Sequence, residues 1–320
     1  MKILALLAVG DLCLAGFVIV QLTRGSARPL PAPVIRRSQR LGAVAWPAYG
    51  ESAADISGVG LVPGPGAAPP VPIASVAKVM TAYVILRDHP LAAGASGPLI
   101  RVRPQEAAAY AAQARNGDSL VPVAAGETIS ERKALEALLL PSADNMAWIL
   151  ARWDAGSQAA FVARMNATAR ELGMTATTYT DPSGLDASTT STAEDQARLG
   201  TAAMRVPALA AVVAMRTADI PVAGVVHNYN TLLGQDGISG LKTGSTVAAG
   251  GCVLLAAWRQ AGSHKTLIIA ATLGQPGTLG TMLANALQAG NALVLSLDDA
   301  LSRQPRSPSS PRPRDFQSAP

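Results

Sequence analysis

The chain has 320 residues, of which 49% are hydrophobic and 15% charged, with a net charge of +5. That is enough for one large domain or two modest lobes, and the positive balance suits anionic surroundings such as a wall polymer or lipid head groups. No basic stripe interleaved with aromatics points to nucleic acid, and two cysteines, Cys13 and Cys252, make neither a disulfide framework nor a metal site.

Residues 3 to 20 are almost wholly apolar after Lys2, so residues 1–24 read as a signal peptide or an uncleaved membrane anchor. Asp11 interrupts this run. Arg24, Arg28, Arg36 and Arg37 outnumber the positive charge before it, which by the positive-inside rule would keep the following domain in the cytoplasm. The reading adopted is export, to the outer face of the cytoplasmic membrane or to the cell wall. Residues 25–40, with Pro29, Pro31 and Pro33, read as a linker.

Leu41 to Trp46 is the first expected strand, with Ser57 to Val62 as its hairpin partner and a Pro/Gly loop from Pro63 to Pro70. Ser75 to Arg87 carries helical apolar spacing, and Pro90 stops it. Arg101 to Val123 is mixed. Glu131 to Trp153 is helical with a break at Pro141-Ser142, and Ser157 to Leu172 is a helix ended by Gly173. After a loop from Tyr179 to Thr190, Thr192 to Met204 is helical again. Val225–Tyr229, Ile238–Lys242, Gly251–Arg259 and Thr266–Leu273 read as strands, and Leu279 to Leu301 as a closing helix. Residues 303–320, rich in Pro, Ser and Arg, read as a disordered tail. Strands, then helices, then strands suit an α/β (α+β) domain over 41–302. Its antiparallel sheet is flanked by helices and brackets an all-helical lobe over about 80–205.

Lysine is scarce, occurring only at 2, 78, 133, 242 and 265. Three Ser-x-x-Lys matches occur: Ser75/Lys78, Ser130/Lys133 and Ser239/Lys242. The second reads as a solvated helix start with Ser130 as N-cap, and the third contains Gly240, which argues against a helix. The first opens a long apolar helix, where residues three apart share a face. A serine hydroxyl needs a neighbouring base to act as a nucleophile. The positive end of the helix disfavours a charged Lys78 and favours an alkoxide at Ser75.

Two further stretches join this one. In Leu140-Pro141-Ser142-Ala143-Asp144-Asn145 a serine beside acid and amide groups interrupts an apolar helix; seen alone it is an ordinary Pro-Ser helix cap. In Lys242-Thr243-Gly244-Ser245 a lysine and hydroxyls at a strand end can bind a carboxylate, and glycine leaves strand backbone open to an extended ligand. An edge-strand lysine that discourages aggregation is the plain alternative.

Together and in this order the three resemble the penicillin-recognising serine enzymes, and most of all the low-molecular-weight D-alanyl-D-alanine carboxypeptidases. The resemblance runs from about Ala43 to Thr272, and includes Met165-Asn166, Glu171-Leu172-Gly173-Met174, Asp181-Pro182-Ser183-Gly184-Leu185 and Asp236-Gly237. It departs where Asp144 stands in the usual Asn position, with Asn145 next. Either Asn145 turns inward, or Asp144 takes the role, or activity is reduced. Nothing after the sheet resembles the β-rich C-terminal domain of some relatives.

The resemblance implies a β-lactamase-like fold and acyl transfer. Ser75 would attack the penultimate D-alanine carbonyl of a peptidoglycan stem peptide, Lys78 accept its proton, and Ser142 relay a proton to the departing amine. Asp144, Asn145, Lys242, Thr243, Gly244 and Ser245 would bind substrate. Backbone N–H groups of Ser75 and Ser245 would form the oxyanion hole. The partners implied are a stem peptide ending in D-Ala-D-Ala, β-lactams as inhibitors, and the membrane through the N-terminal segment; no metal or organic cofactor is implied. Rival readings are a β-lactamase, for which no Glu-x-x-Leu-Asn is found, and a penicillin- or wall-binding protein without turnover.

Overall fold

The computed structural model describes residues 34–38, 41–66, 69–92, 94–261 and 264–303. The leader, Cys13, most of the expected linker and nearly all of the tail lie outside the described residues.

The described residues begin with a hairpin of β1 (Val34–Ser38) and β2 (Gly42–Trp46), followed by a second of β3 (Glu51–Ile56) and β4 (Gly60–Pro63). The short β5 (Val71–Pro72) leads through a 3-10 turn, Ala74–Ala77, into α1 (Lys78–Asp88). Next come β6 (Leu99–Arg101), α2 (Pro104–Arg115), β7 (Thr128–Ser130), α3 (Glu131–Leu139), α4 (Asp144–Ala155) and α5 (Gln158–Glu171). They are followed by β8 (Thr190–Ser191), α6 (Ala193–Met204) and α7 (Pro207–Val213). A hairpin of β9 (Thr217–Ile220) and β10 (Gly224–His227) precedes three long strands, β11 (Ile238–Thr246), β12 (Gly250–Ala261) and β13 (His264–Gln275). The last described element is α8 (Met282–Ser302).

The main sheet is antiparallel in the order β11-β12-β13-β3-β4. β3, from the N-terminal part, pairs with β13 and completes the sheet around the intervening helices, as the element order implies. Both faces are covered. Along β12, Val253, Leu255 and Ala257 pack in one apolar cluster with Leu293, Val294 and Leu297 of α8. Cys252, Leu254 and Ala256, one residue out of phase, join the cluster of the helical side. This period-two division explains the nearly continuous apolar run, since each face has its own core. Each large aliphatic side chain so buried contributes about 1.5–3 kcal/mol. In α8, buried Met282, Ala286, Gly290, Leu293, Val294 and Leu297 follow the three-and-four spacing of a helix with one covered face.

Ser130 caps α3, its Oγ accepting from the Lys133 amide, so that Ser-x-x-Lys match is a helix start. Four details differ from the sequence reading. Residues 34–38, read as linker, pair as β1, because the prolines end at Pro33 and the next five N–H groups are free to bond. Glu51–Ile56, to which the sequence reading assigns no element, is a strand inside the main sheet; its small residues Ala53 and Ala54 give little local β signal but are fully buried. β4 therefore pairs with β3, not with the Leu41–Trp46 strand. α7 and β9 had no expected counterpart. Among the described residues no helix is long and apolar enough to cross a membrane.

Candidate active site

The 3-10 turn sets the first part of the site. Buried Ile73, Val76, Val79 and Met80 anchor it below, leaving Ser75 partly open. Ala74 sits at φ 47°, a left-handed conformation that costs a non-glycine residue roughly 1–3 kcal/mol. Three residues per turn place Ser75 and Lys78 on one edge, and Lys78 Nζ lies 2.7 Å from Ser75 Oγ. Lys78 is fully buried. Its Nζ also donates to Asp144 Oδ1 at 2.6 Å and to the Ser183 carbonyl at 3.0 Å, so all three donors of an ammonium have acceptors.

The Ser183 carbonyl is aimed by Asp181. One carboxylate oxygen of Asp181 accepts from the amides of Ser183, Gly184 and Leu185 at 3.0, 2.8 and 3.1 Å. The other accepts from Thr189 Oγ1 at 2.6 Å. Thr81 of α1 ties the same loop down through the Pro182 carbonyl at 2.6 Å. Gly184, at φ 79°, lies so close to the Ala74 carbonyl that a Cβ there would collide with it. The Asp-Pro-Ser-Gly segment is thus a shaped support for the lysine, a role an Asx-turn signature can signal but not aim.

The break between α3 and α4 brings the second part. Ser142 has φ 66° and is 4% exposed, and its Oγ has no hydrogen-bond partner among the described residues. Asp144 opens α4, where the helix N-terminus favours an anion. Its second oxygen, Oδ2, accepts from the Ser119 amide at 2.9 Å, and its own amide donates to the Ser119 carbonyl at 2.6 Å. Asn145 faces elsewhere: its Nδ2 donates to the Val121 carbonyl at 2.8 Å and its Oδ1 accepts from the Val121 amide at 3.3 Å. Of the two neighbours it is Asp144 that meets Lys78, while Asn145 pins the 119–121 segment. Each Asp144 oxygen meets one donor, a pairing that a carboxylate satisfies and an amide cannot. Nearby, burial and then the Asp144 anion push the Asp118 carboxyl up, against the opposing pull of Lys78.

The third part is β11, an edge strand of the main sheet, the kind of strand to which an extended ligand can add. Lys242 and Thr243 are buried, and Lys242 Nζ donates to the Thr243 carbonyl at 2.9 Å. Burial, and next the charge of Lys78, push Lys242 well below the usual lysine range, while Asp144 pulls it back up. Gly244 lies against the Ser75 turn: a Cβ there would stand 2.8 Å from the Ser75 nitrogen and 3.0 Å from that of Val76. Ser245 follows, partly buried and paired with Gly251. Cys252, opposite Gly244, is a buried free thiol that burial pushes up to about 12, in line with a core role.

Ser75, Lys78, Asp144, Lys242 and Gly244 therefore share one locality, with Ser142 two residues from Asp144 and Thr243 between Lys242 and Gly244. Asn145 is the one named residue turned away. Sequence reasoning missed Ser119, the Ser183 carbonyl, Asp118 and Tyr229, whose phenol is raised by burial and then by the Asp144 anion.

Comparison with known proteins bears on the fold and the family. The solved structure of the Streptomyces K15 DD-transpeptidase superposes with a TM-score of 0.68 at 22% identity, covering 80% of this chain and all of that one, which establishes the β-lactamase-like fold. A D-alanyl-D-alanine endopeptidase of Pseudomonas aeruginosa is 37% identical over 194 residues, 58% of this chain and 59% of that protein. The D-alanyl-D-alanine carboxypeptidase DacB2 of Mycobacterium tuberculosis is 39% identical over 136 residues, 40% of this chain and 46% of that protein. The chain spans about half the length of these curated relatives. The Peptidase S11 model, described as D-alanyl-D-alanine carboxypeptidase, matches residues 66–276, a stretch that contains every one of the site residues above, and the chain belongs to that family.

Proposed function

We propose that this chain is a serine D-Ala-D-Ala carboxypeptidase that removes the terminal D-alanine of peptidoglycan stem peptides through an acyl-enzyme on Ser75. The observation that carries the reading is the 2.7 Å contact between Ser75 Oγ and the buried Lys78 Nζ, with β11 packed against the same turn. In the first step the Ser75 oxygen bonds to the carbonyl carbon of the penultimate D-alanine, and its proton passes to Lys78 in the amine form. Asp144 and the Ser183 carbonyl hold that amine in place. The amides of Ser75 and Ser245 receive the oxyanion; loss of one such donor commonly costs roughly 10²–10³ in rate.

The tetrahedral species collapses as the C–N bond breaks. Ser142, whose buried hydroxyl has no competing partner among the described residues, relays the proton held by Lys78 to the departing nitrogen, which returns Lys78 to the amine form. Lys242 and Thr243 hold the terminal carboxylate, consistent with a lysine that gains by meeting an anion in a buried place. Water then cleaves the Ser75 ester and restores the serine. A β-lactam, which carries a comparable amide and carboxylate, would acylate Ser75 and remain. Wall peptide as substrate implies an extracytoplasmic location, with residues 1–24 as leader or anchor and 41–302 as the catalytic domain.

The test is D-alanine release from a D-Ala-D-Ala-ended peptide by the full chain, with Ser75→Ala alongside and intact mass measured after penicillin. Release by wild type only, with a penicillin adduct absent from the alanine variant, is expected. Equal release by both proteins would overturn the nucleophile assignment. One observation favours a second reading: the Asp144 carboxylate at 2.6 Å stabilises the ammonium form of its partner, which opposes base action and suits a penicillin-binding protein without turnover. An adduct without D-alanine release would select it.

A further inference from the structure

Tyr229 lies between the two segments that handle the departing residue in the proposed reaction. Its amide donates to the carbonyl of Leu140, two residues before Ser142, at 3.2 Å. Its neighbour Asn230 is buried and donates through Nδ2 to the carbonyl of Gly240, two residues before Lys242, at 3.2 Å. Both flanking asparagines act as clamps. Asn228 Nδ2 donates to the Met215 carbonyl at 3.0 Å, and Asn228 Oδ1 accepts from the Asn230 amide at 2.9 Å. Asn230 Oδ1 in turn accepts from the Leu232 amide at 3.2 Å.

Between these clamps Tyr229 remains 45% exposed. An aromatic kept for packing would be covered; one held half-open on a rigid mount suits a ligand contact. Burial and then the Asp144 anion push its phenol up, so it stays an O–H donor at neutral pH and stands within the field of the site. A terminal carboxylate offers about four lone-pair positions, more than Lys242 and Thr243 fill.

We propose that Tyr229 is a specificity-determining residue that recognises the C-terminal residue of the acyl donor, its phenol donating a hydrogen bond to the terminal carboxylate beside Lys242. This rests on the carboxypeptidase reading above and adds to it the group that distinguishes a free carboxylate from a blocked one. Selectivity then comes from a charge-assisted hydrogen bond that a neutral C-terminus cannot match.

The experiment compares the full chain with Tyr229→Phe and Tyr229→Ala on two peptides, one ending in D-Ala-D-Ala and the other in its carboxamide. Phe keeps the ring, so folding is preserved and only the donor is lost. Tyr229→Phe is expected to lose roughly 10- to 100-fold in kcat/KM on the free acid, mostly through KM, and little on the amide. Equal loss on both peptides, or none on either, would overturn the proposal. Acylation rates with benzylpenicillin and with its methyl ester make the same comparison without turnover. If wild type releases no D-alanine, the hydrolytic reading fails, and loss of acid-over-ester preference in Tyr229→Phe would still support the tyrosine's role. Unchanged preference, or no acylation by either compound, would overturn it.

Discussion

Lys78 Nζ and Asp144 Oδ1 stand 2.6 Å apart, with side-chain exposures of 0% and 4%. At such burial the partners depend on each other, because removing one strands the other's charge. Asp144→Ala is expected to destabilise the protein by about 3–5 kcal/mol in chemical denaturation. Asp144→Asn keeps the shape but removes the anion, leaving either Lys78 or the Ser119 amide short of an acceptor. Its acylation by penicillin should be faster at neutral pH, since the anion beside the base is gone. An unchanged acylation rate would show that this anion does not govern the base.

Ser142 offers a separation of stability from activity. Its hydroxyl is buried without a hydrogen-bond partner among the described residues, so Ser142→Ala should leave the melting temperature unchanged or slightly higher. D-alanine release should nevertheless fall by about 10²–10⁴, the usual span for a lost proton-transfer group. Paired melting curves and release assays check both halves; a large drop in melting temperature would mean that the serine serves the turn instead.

Gly244 tests how closely β11 must approach the nucleophile. Adding a methyl places a carbon 2.8 Å from the Ser75 nitrogen, so strand and turn must separate. Misplacement on the scale of 1 Å costs about 10² in rate. Gly244→Ala should lose about that factor in acylation while unfolding cooperatively like wild type. Acylation at the wild-type rate would count against a site formed between these two segments.

Glu131 gives a pH dependence unrelated to catalysis. It is fully buried at the start of α3, neither carboxyl oxygen has a hydrogen-bond partner among the described residues, and burial raises it from 4.5 to about 7. The folded state therefore holds its proton more tightly than the unfolded state. Its contribution is complete below pH about 4.5, is lost as pH rises toward about 7, and then levels off. The loss is on the order of 3 kcal/mol at most. Glu51, also raised to about 7 by burial, with Glu194 and Asp195 adding to it, acts in the same direction. Glu131→Gln should melt higher than wild type at pH 8 and close to it at pH 5. Equal differences at both pH values would rule out titration as the cause.

Much of this protein is written locally. The period of three and four in α1, α4, α5 and α8, the serine caps at Ser130 and Ser157, and the Gly173 stop all act within a few residues. The three motif segments were legible for the same reason, since Ser75 and Lys78 need only one turn of helix to meet. The strand Glu51–Ile56 was not, because its small side chains acquire meaning only between β13 and β4.

Chain order and residue type by themselves determined the family, the sheet around a helical insertion, and which serines and lysines to watch. Only the tertiary structure decided that Asp144 and not Asn145 meets Lys78, that the Ser183 carbonyl completes the lysine's contacts, and that Tyr229 stands between the second and third segments. Adjacent residues on a helix point about 100° apart, so which of two neighbours faces the site depends on how α4 docks. That docking is held by contacts of Asp144 with residues 25 and 66 positions away, and such distances leave no local periodicity to read.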